Sequence, residues 1–169
     1  MAHRSSGSMT RVCEPEWTQR PSDYRAWEQT VRVGIGDAYW AAARLELLRW
    51  GVKTRSGFTV EPDAPVVVGA RPVIIARPFG LAIREPVEVV EVVDTDSRIG
   101  FAYRTLPGHP VSGEEAFLLT RDGDGVRLTI RSLTRPGDWL GWRLAFPALL
   151  VAQRLTRRRY LRALLPDRL

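Results

Sequence analysis

The sequence predicts an α+β domain in which a curved antiparallel sheet wraps around a long, kinked C-terminal helix. Three observations carry this reading. A helix-like stretch with one apolar face comes early, over residues 37–50. Residues 58–132 hold β-rich segments and turn formers with no helical period. Residues 138–165 then form one long apolar and basic run that stops at Pro166. Strands gathered between helices, without βα alternation, belong to the α+β class rather than to a parallel sheet.

The elements follow in chain order. Residues 1–10 are rich in Ser and Gly and lack hydrophobic periodicity. Residues 1–20 are therefore expected to form a flexible leader, with Met9 as an alternative start, and residues 21–169 a single domain. Trp17 and Trp27 are the residues able to pin this arm to the domain. Gln29–Val33 alternates like a strand and ends at Gly34-Ile-Gly36. Asp37 is placed to cap a helix whose apolar face holds Trp40, Ala43, Leu47 and Leu48, with Gly51 as its terminator. The Gly-x-Gly lacks the third glycine of a dinucleotide fingerprint, and no βαβ unit follows.

Short strands are expected at Phe58–Val60, Val66–Val68 and Val73–Ala76. A longer one is expected at Val87–Val93, where Glu88 and Glu91 break the alternation and imply a bulge. Ile99–Tyr103 comes next. Glu115–Arg121 and Val126–Ser132 flank Asp122-Gly-Asp-Gly125, a strong hairpin signal. Asp138 then caps the final helix, whose first half is apolar nearly all round and so expected to be buried. Pro147 removes one of its backbone donors.

Composition narrows the classes. The 169 residues suit one domain with a real core, and the hydrophobic share of 44% is that of a globular chain. The net charge of +6 is almost all arginine, because Lys53 is the single lysine. That excess is mild beside the concentrated basic footprint of a nucleic-acid binder. Arg154, Arg158 and Arg162, at i, i+4 and i+8 on the last helix with Arg157 alongside, are expected to form a solvated face, with phosphate or an anionic membrane surface as the alternative partner. Cys13 is the only cysteine, so no intrachain disulfide forms. No apolar run approaches the roughly 20 residues of a spanning helix, and no signal-peptide core is visible near the N-terminus. A cytoplasmic location is expected. His3 and His109 are the only histidines, so no metal site is expected, and no cofactor is implied.

Polar chemistry concentrates in one stretch: Gly100-Phe-Ala-Tyr-Arg-Thr-Leu-Pro-Gly-His-Pro-Val-Ser-Gly-Glu-Glu-Ala-Phe117. Two prolines and two glycines fold its middle, while its ends read as strands. The stretch resembles the signature of uncharacterised protein family 0548, a bacterial and plant family. Val33-Gly-x-Gly36, Trp50, Ser132-Leu-Thr-Arg-Pro136, Pro147, Gln153 and Arg159-Tyr160-Leu161 extend the resemblance over residues 24–165. One departure is Arg104, where the family commonly has glycine. The resemblance implies a helix-grip architecture similar to START-like domains, with a ligand cavity between the sheet and the last helix.

Candidate ligand-binding residues are Tyr103, Arg104, His109, Glu115, Trp139, Trp142 and Phe146. Candidate catalytic residues are His109, Glu114 and Glu115. A histidine beside a carboxylate is a common acid–base element. The same three side chains are also suited to hydrogen-bonding a loop that its prolines leave short of internal partners. Of the two glutamates, Glu115 shares its face with Phe117 and Leu119 and is expected to face the cavity, with His109 or Arg104 as its partner. The expected function is non-catalytic binding of a small apolar or amphipathic molecule. The alternatives are an enzyme using His109 with Glu114 or Glu115, and an adaptor whose arginines bind nucleic acid or a membrane surface.

Overall fold

The structure is a computed structural model that describes residues 7–137 and 140–168. Seven strands form one antiparallel, curved sheet. They are β1 (Arg25–Ile35), β2 (Thr59–Glu61), β3 (Val73–Ala76), β4 (Ile83–Asp94), β5 (Arg98–Thr105), β6 (Val111–Asp122) and β7 (Gly125–Pro136), in the spatial order β1-β7-β6-β5-β4-β3-β2. Two short helices, α1 (Asp37–Leu47) and α2 (Gly51–Thr54), follow β1, and α3 (Leu140–Tyr160) follows β7. The α+β class and the C-terminal helix are as the sequence predicts.

The sheet has two differently used faces. Along β5, β6 and β7 the alternation puts Ile99, Phe101, Tyr103, Phe117, Leu119, Leu128 and Ile130 on the inner face. There they pack with Trp40, Ala43 and Leu47 of α1 and with Tyr160, Ala163 and Leu164 at the C-terminal end. Trp50 meets Phe101 edge-on at 4.9 Å, and Phe117 meets Tyr160 edge-on at 5.4 Å. The outer face carries a smaller cluster of Val12, Val90, Ala102, Ala116 and Leu118. The bulge expected in β4 lies between Val89 and Glu91. It brings Val90 to the outer cluster and leaves Glu91 accepting a hydrogen bond from Val12 N at 2.9 Å.

Several expectations need correction. The region read as a leader is, from Ser8 onward, packed on the outer face: Thr10, Val12 and Trp17 are all buried. The buried Arg131 donates to the carbonyls of Thr10, Arg11, Glu14 and Pro15. Residues 1–6 lie outside the described residues. The cap of α1 is Gly36 (φ 87°), while Asp37 stands in the first turn and pairs with Arg121 at 2.6 Å. Trp50 itself takes the left-handed turn (φ 62°) before α2, at a cost of about 1–2 kcal/mol that its burial offsets. Gly51 serves close approach, because a Cβ there would lie 2.6 Å from Glu46 O. Val66 N–H donates to Leu48 O at 2.8 Å and Ala70 N–H to Val67 O at 3.0 Å, and residues 66–68 form no strand.

The largest difference concerns α3. Its first half does not enter the core: Leu140 and Leu144 are 65% and 75% exposed, and Val151 and Leu155 are also exposed. An apolar stretch is buried only where a neighbouring surface covers it, and among the described residues of α3 only Tyr160, at its C-terminal end, is buried. The expected cap Asp138 and the candidate Trp139 lie outside the described residues. The helix ends at Tyr160, short of Pro166, and a turn carries Ala163 and Leu164 into the core. Among the described residues, no helix is long and apolar enough to cross a membrane.

Candidate functional site

A cavity of about 280 Å³ lies between the inner face of the sheet and α3. Its apolar wall includes Phe58, Ile83, Val111, Leu149 and Leu150, and its polar groups converge from four separate elements. β6 supplies Glu115, β5 supplies Tyr103, α2 supplies Lys53 and α3 supplies Tyr160. Lys53 Nζ donates to Glu115 Oε2 at 2.8 Å and to Tyr160 Oη at 2.6 Å. Tyr103 Oη donates to the same carboxylate oxygen. The ammonium also sits over four rings, nearest that of Tyr160 at 4.6 Å to the centroid, so aromatic faces complete its solvation.

This geometry sets the charge states. Burial alone would raise the Glu115 carboxyl, but the Lys53 charge and the hydrogen bonds from Lys53 and Tyr103 hold it below the ordinary carboxylate value. Burial, reinforced by the Glu115 charge, pushes the phenols of Tyr103 and Tyr160 well above theirs. Both remain neutral donors at neutral pH.

The loop between β5 and β6 places His109 at the cavity. His109 N bonds Leu106 O at 3.1 Å and closes the turn. The ring Nδ1 accepts from Val111 N–H at 3.1 Å, which leaves the proton of the neutral imidazole on Nε2. Nε2 lies 3.9 Å from Glu85 Oε2 on β4. Burial, then the Lys53 charge, lowers His109 to about 4. Burial, with the Glu115 charge added, raises Glu85 to about 7 against the pull of Lys53. A neutral imidazole N–H and a carboxyl that titrates near neutrality therefore stand 3.9 Å apart at the cavity wall.

Gly113 lets β6 reach this position. A Cβ there would lie 1.8 Å from Leu133 O on β7, so only glycine permits the approach.

The structure brings together Tyr103, His109 and Glu115 of the predicted residues and separates the others. Glu114 is buried on the outer face, where it accepts from Ser8 Oγ at 2.8 Å, Met9 N at 3.0 Å and Thr10 N at 2.7 Å. It holds the N-terminal segment and does not act beside His109. Arg104 alternates with Tyr103, so it also points outward, and it pairs with Glu88 at 2.5 Å. Neither His109 nor Arg104 is the partner of Glu115: that role falls to Lys53 and Tyr103. Among the described residues, Trp142 and Phe146 do not line the cavity; they stand on α3 nearer its N-terminus than the lining residues Leu149 and Leu150. Lys53, Glu85 and Tyr160 are site residues the sequence reading missed. The signal available was the uniqueness of Lys53 and the face that Glu85 shares with Val87 and Val89. Among the described residues, no group of three His, Cys, Asp or Glu side chains could hold a metal ion.

Comparison with known proteins agrees with this architecture. A UPF0548 protein of Deinococcus radiodurans is 33% identical over 178 residues, covering 95% of this chain and 88% of that one. A UPF0548 protein of Arabidopsis thaliana is 28% identical over 131 residues, covering 73% and 63%. A hypothetical protein from Helicobacter pylori has the same fold, with a TM-score of 0.61 at 15% identity over 100% of this chain and 99% of that one. Norcoclaurine synthase from Thalictrum flavum has a TM-score of 0.52 at 9% identity, covering 83% of this chain and 86% of that one. A family model described as a domain of unknown function, DUF1990, matches residues 8–163, starting where the packed N-terminal segment starts, and the chain belongs to that family.

Proposed function

We propose that this protein binds a small, largely apolar molecule carrying a hydroxyl or carbonyl group, in the cavity between the sheet and α3. The observation behind this reading is the Lys53–Glu115–Tyr103–Tyr160 cluster. It is a buried, hydrogen-bonded polar set at the wall of a mostly apolar cavity. Ligand sites combine apolar walls with a few fixed polar groups in this way. The third N–H of the Lys53 ammonium and the Tyr160 hydroxyl, whose oxygen accepts from Lys53, offer donors to a ligand oxygen, while Phe58, Leu149 and Leu150 take its apolar body. The cavity volume suits a molecule of one or two rings.

Titration with the fluorescent dye anilinonaphthalene sulfonate tests this, with competition by hydroxybenzaldehyde and by dopamine. These two molecules are bound in the norcoclaurine synthase structure, which makes them suitable first probes. Ala76→Trp places a ring in the cavity wall and is expected to abolish dye binding while the fold persists. Equal dye affinity in the variant would end the proposal.

The pairing of His109 Nε2 with Glu85 favours a second reading, an enzyme that moves a proton to or from the bound oxygen. Glu85 takes the role first expected of Glu114 or Glu115. Ligands co-purified from the native host and identified by native mass spectrometry would be incubated with the protein and with His109→Gln. A mass change with the unaltered protein alone supports turnover; an unchanged mass leaves binding as the function.

A further inference from the structure

A second cavity, of about 330 Å³, opens on the other side of α3, against β1. Arg25 and Gln29 reach it from β1, and Arg154, Arg157 and Arg158 from α3. Among the described residues that line it there is no aspartate or glutamate. Among the described residues, none of these four arginines has an ion-pair partner, whereas Arg44, Arg104, Arg121 and Arg131 elsewhere each have one. Like charges gathered in a concave wall repel one another, and an anion offsets that repulsion.

Arg157 is the most constrained of the four. Its guanidinium lies 4.2 Å from the centroid of the Trp27 ring, and Nη2 donates to Ser132 Oγ at 3.1 Å. Its Nε is buried and has no hydrogen-bond acceptor. An N–H withdrawn from water without a partner is costly, and native structures rarely leave one so. Burial lowers the Arg157 pKa, and Arg25 and Arg154 add to that effect against the opposing pull of Glu115 and Tyr160. The guanidinium is thus fixed by stacking on one side and by a hydroxyl on the other, with a donor still unused and two cations nearby. A planar fork held in this way matches the oxygen geometry of a tetrahedral oxyanion.

We infer that the arginine-lined cavity between β1 and α3 is a binding site for the phosphate group of a small soluble molecule, held by Arg25, Arg154, Arg157 and Arg158. Gln29 and Gln153 supply neutral donors at its wall. Gln153 also donates to Thr134 Oγ1 at 3.0 Å, and both residues line the two cavities, so this bond forms part of the partition between them. The phosphate site does not depend on the ligand proposed for the first cavity. Ala76 lines only the first cavity and Arg154 and Arg158 only the second, so Ala76→Trp should leave phosphate binding unchanged, and Arg154→Gln and Arg158→Gln should leave dye binding unchanged.

The test is isothermal titration with inorganic phosphate and with phenyl phosphate at constant ionic strength, chloride serving as the reference anion. Saturable binding of both phosphates is expected. Arg154 and Arg158 are exposed, so the Arg154→Gln and Arg158→Gln variants keep the fold. Each should weaken binding about tenfold, the loss typical of one charge-assisted hydrogen bond. Arg157→Lys, which keeps the charge but not the fork, should weaken it comparably. Vesicles of phosphatidylcholine with phosphatidic acid distinguish a lipid headgroup from a free phosphate. Soluble phosphates that bind no better than chloride would overturn the inference, as would affinities unchanged in all three variants. Attachment to the acidic vesicles without saturable binding of the soluble phosphates would also overturn it, replacing the site by general attraction to a charged surface.

Discussion

Lys53 Nζ and Glu115 Oε2 lie 2.8 Å apart in a nearly closed setting, with side-chain exposures of 4% and 12%. The single lysine of the chain is spent on this contact. Removing one member leaves the other as an uncompensated buried charge, so Lys53→Met should cost about 3–5 kcal/mol. The double variant Lys53→Met with Glu115→Gln should recover a large part of that loss. Urea denaturation checks both, and a single-variant cost under about 1 kcal/mol would mean that water reaches the carboxylate.

Stability should depend on pH through His109 and Glu85 with opposite signs. The folded His109 lies near 4, below its ordinary 6.5, so the unfolded chain takes up that proton first, and stability falls as pH drops from 6.5 toward 4. The folded Glu85 lies near 7, above its ordinary 4.5, so stability falls as pH rises from 4.5 toward 7. Each contribution is on the order of 3 kcal/mol, and in the intact protein they largely cancel. His109→Asn should leave a protein that loses stability as pH rises through this window. Glu85→Gln should leave one that gains it. Melting temperatures measured between pH 4.5 and 7 give the two slopes, and slopes of the same sign would refute the assignment.

Gly113→Ala should destabilise the protein by about 3 kcal/mol, at the upper end for an overpacked site, because the added methyl meets the Leu133 carbonyl on β7. Backbone on both sides leaves little room to yield. A melting temperature equal to that of the parent would show that the two strands can separate locally.

Leu144→Ala should change stability by less than about 0.5 kcal/mol, as for other exposed positions. Leu128→Ala, at a position with no exposed surface, should cost about 2–5 kcal/mol. Chemical denaturation of both variants checks the contrast. A large loss at Leu144 would mean that some surface covers this side of α3 in solution.

Local pattern and long-range contact explain what could be read from the sequence. Alternation in β6 told Glu115 from Glu114, because Phe117 and Leu119 fix the inward face. The hairpin at Asp122–Gly125 and the bulge near Glu91 were legible for the same local reason. Lys53 was not, because a charged residue in a short helix reads as solvated until Phe58, Tyr103 of β5, Phe117 of β6 and Tyr160 of α3 converge on it. Glu85 stands in the part of β4 before Val87, beyond the stretch whose alternation marked a strand. The N-terminal segment has no hydrophobic period of its own. Glu91, Glu114 and Arg131 hold it from 79 to 121 positions away, a pairing that no window of the sequence contains. The first half of α3 erred in the other direction, since apolar composition reports what a helix can bury and not which neighbour is present.

The clasp on that N-terminal segment has a consequence for how the molecule opens. Glu114 accepts from Met9 and Thr10, Glu91 accepts from Val12, and Arg131 donates to four carbonyls of the same segment. Lifting the segment away would break these bonds together and bare two carboxylates and a guanidinium set in the sheet. Partial fraying gains little chain entropy against that loss, so the segment should leave the sheet only when the sheet itself unfolds. In native-state hydrogen exchange, the amides of Met9, Thr10 and Val12 should then exchange at the rate of the central strands, not at the fast rate usual near a chain end.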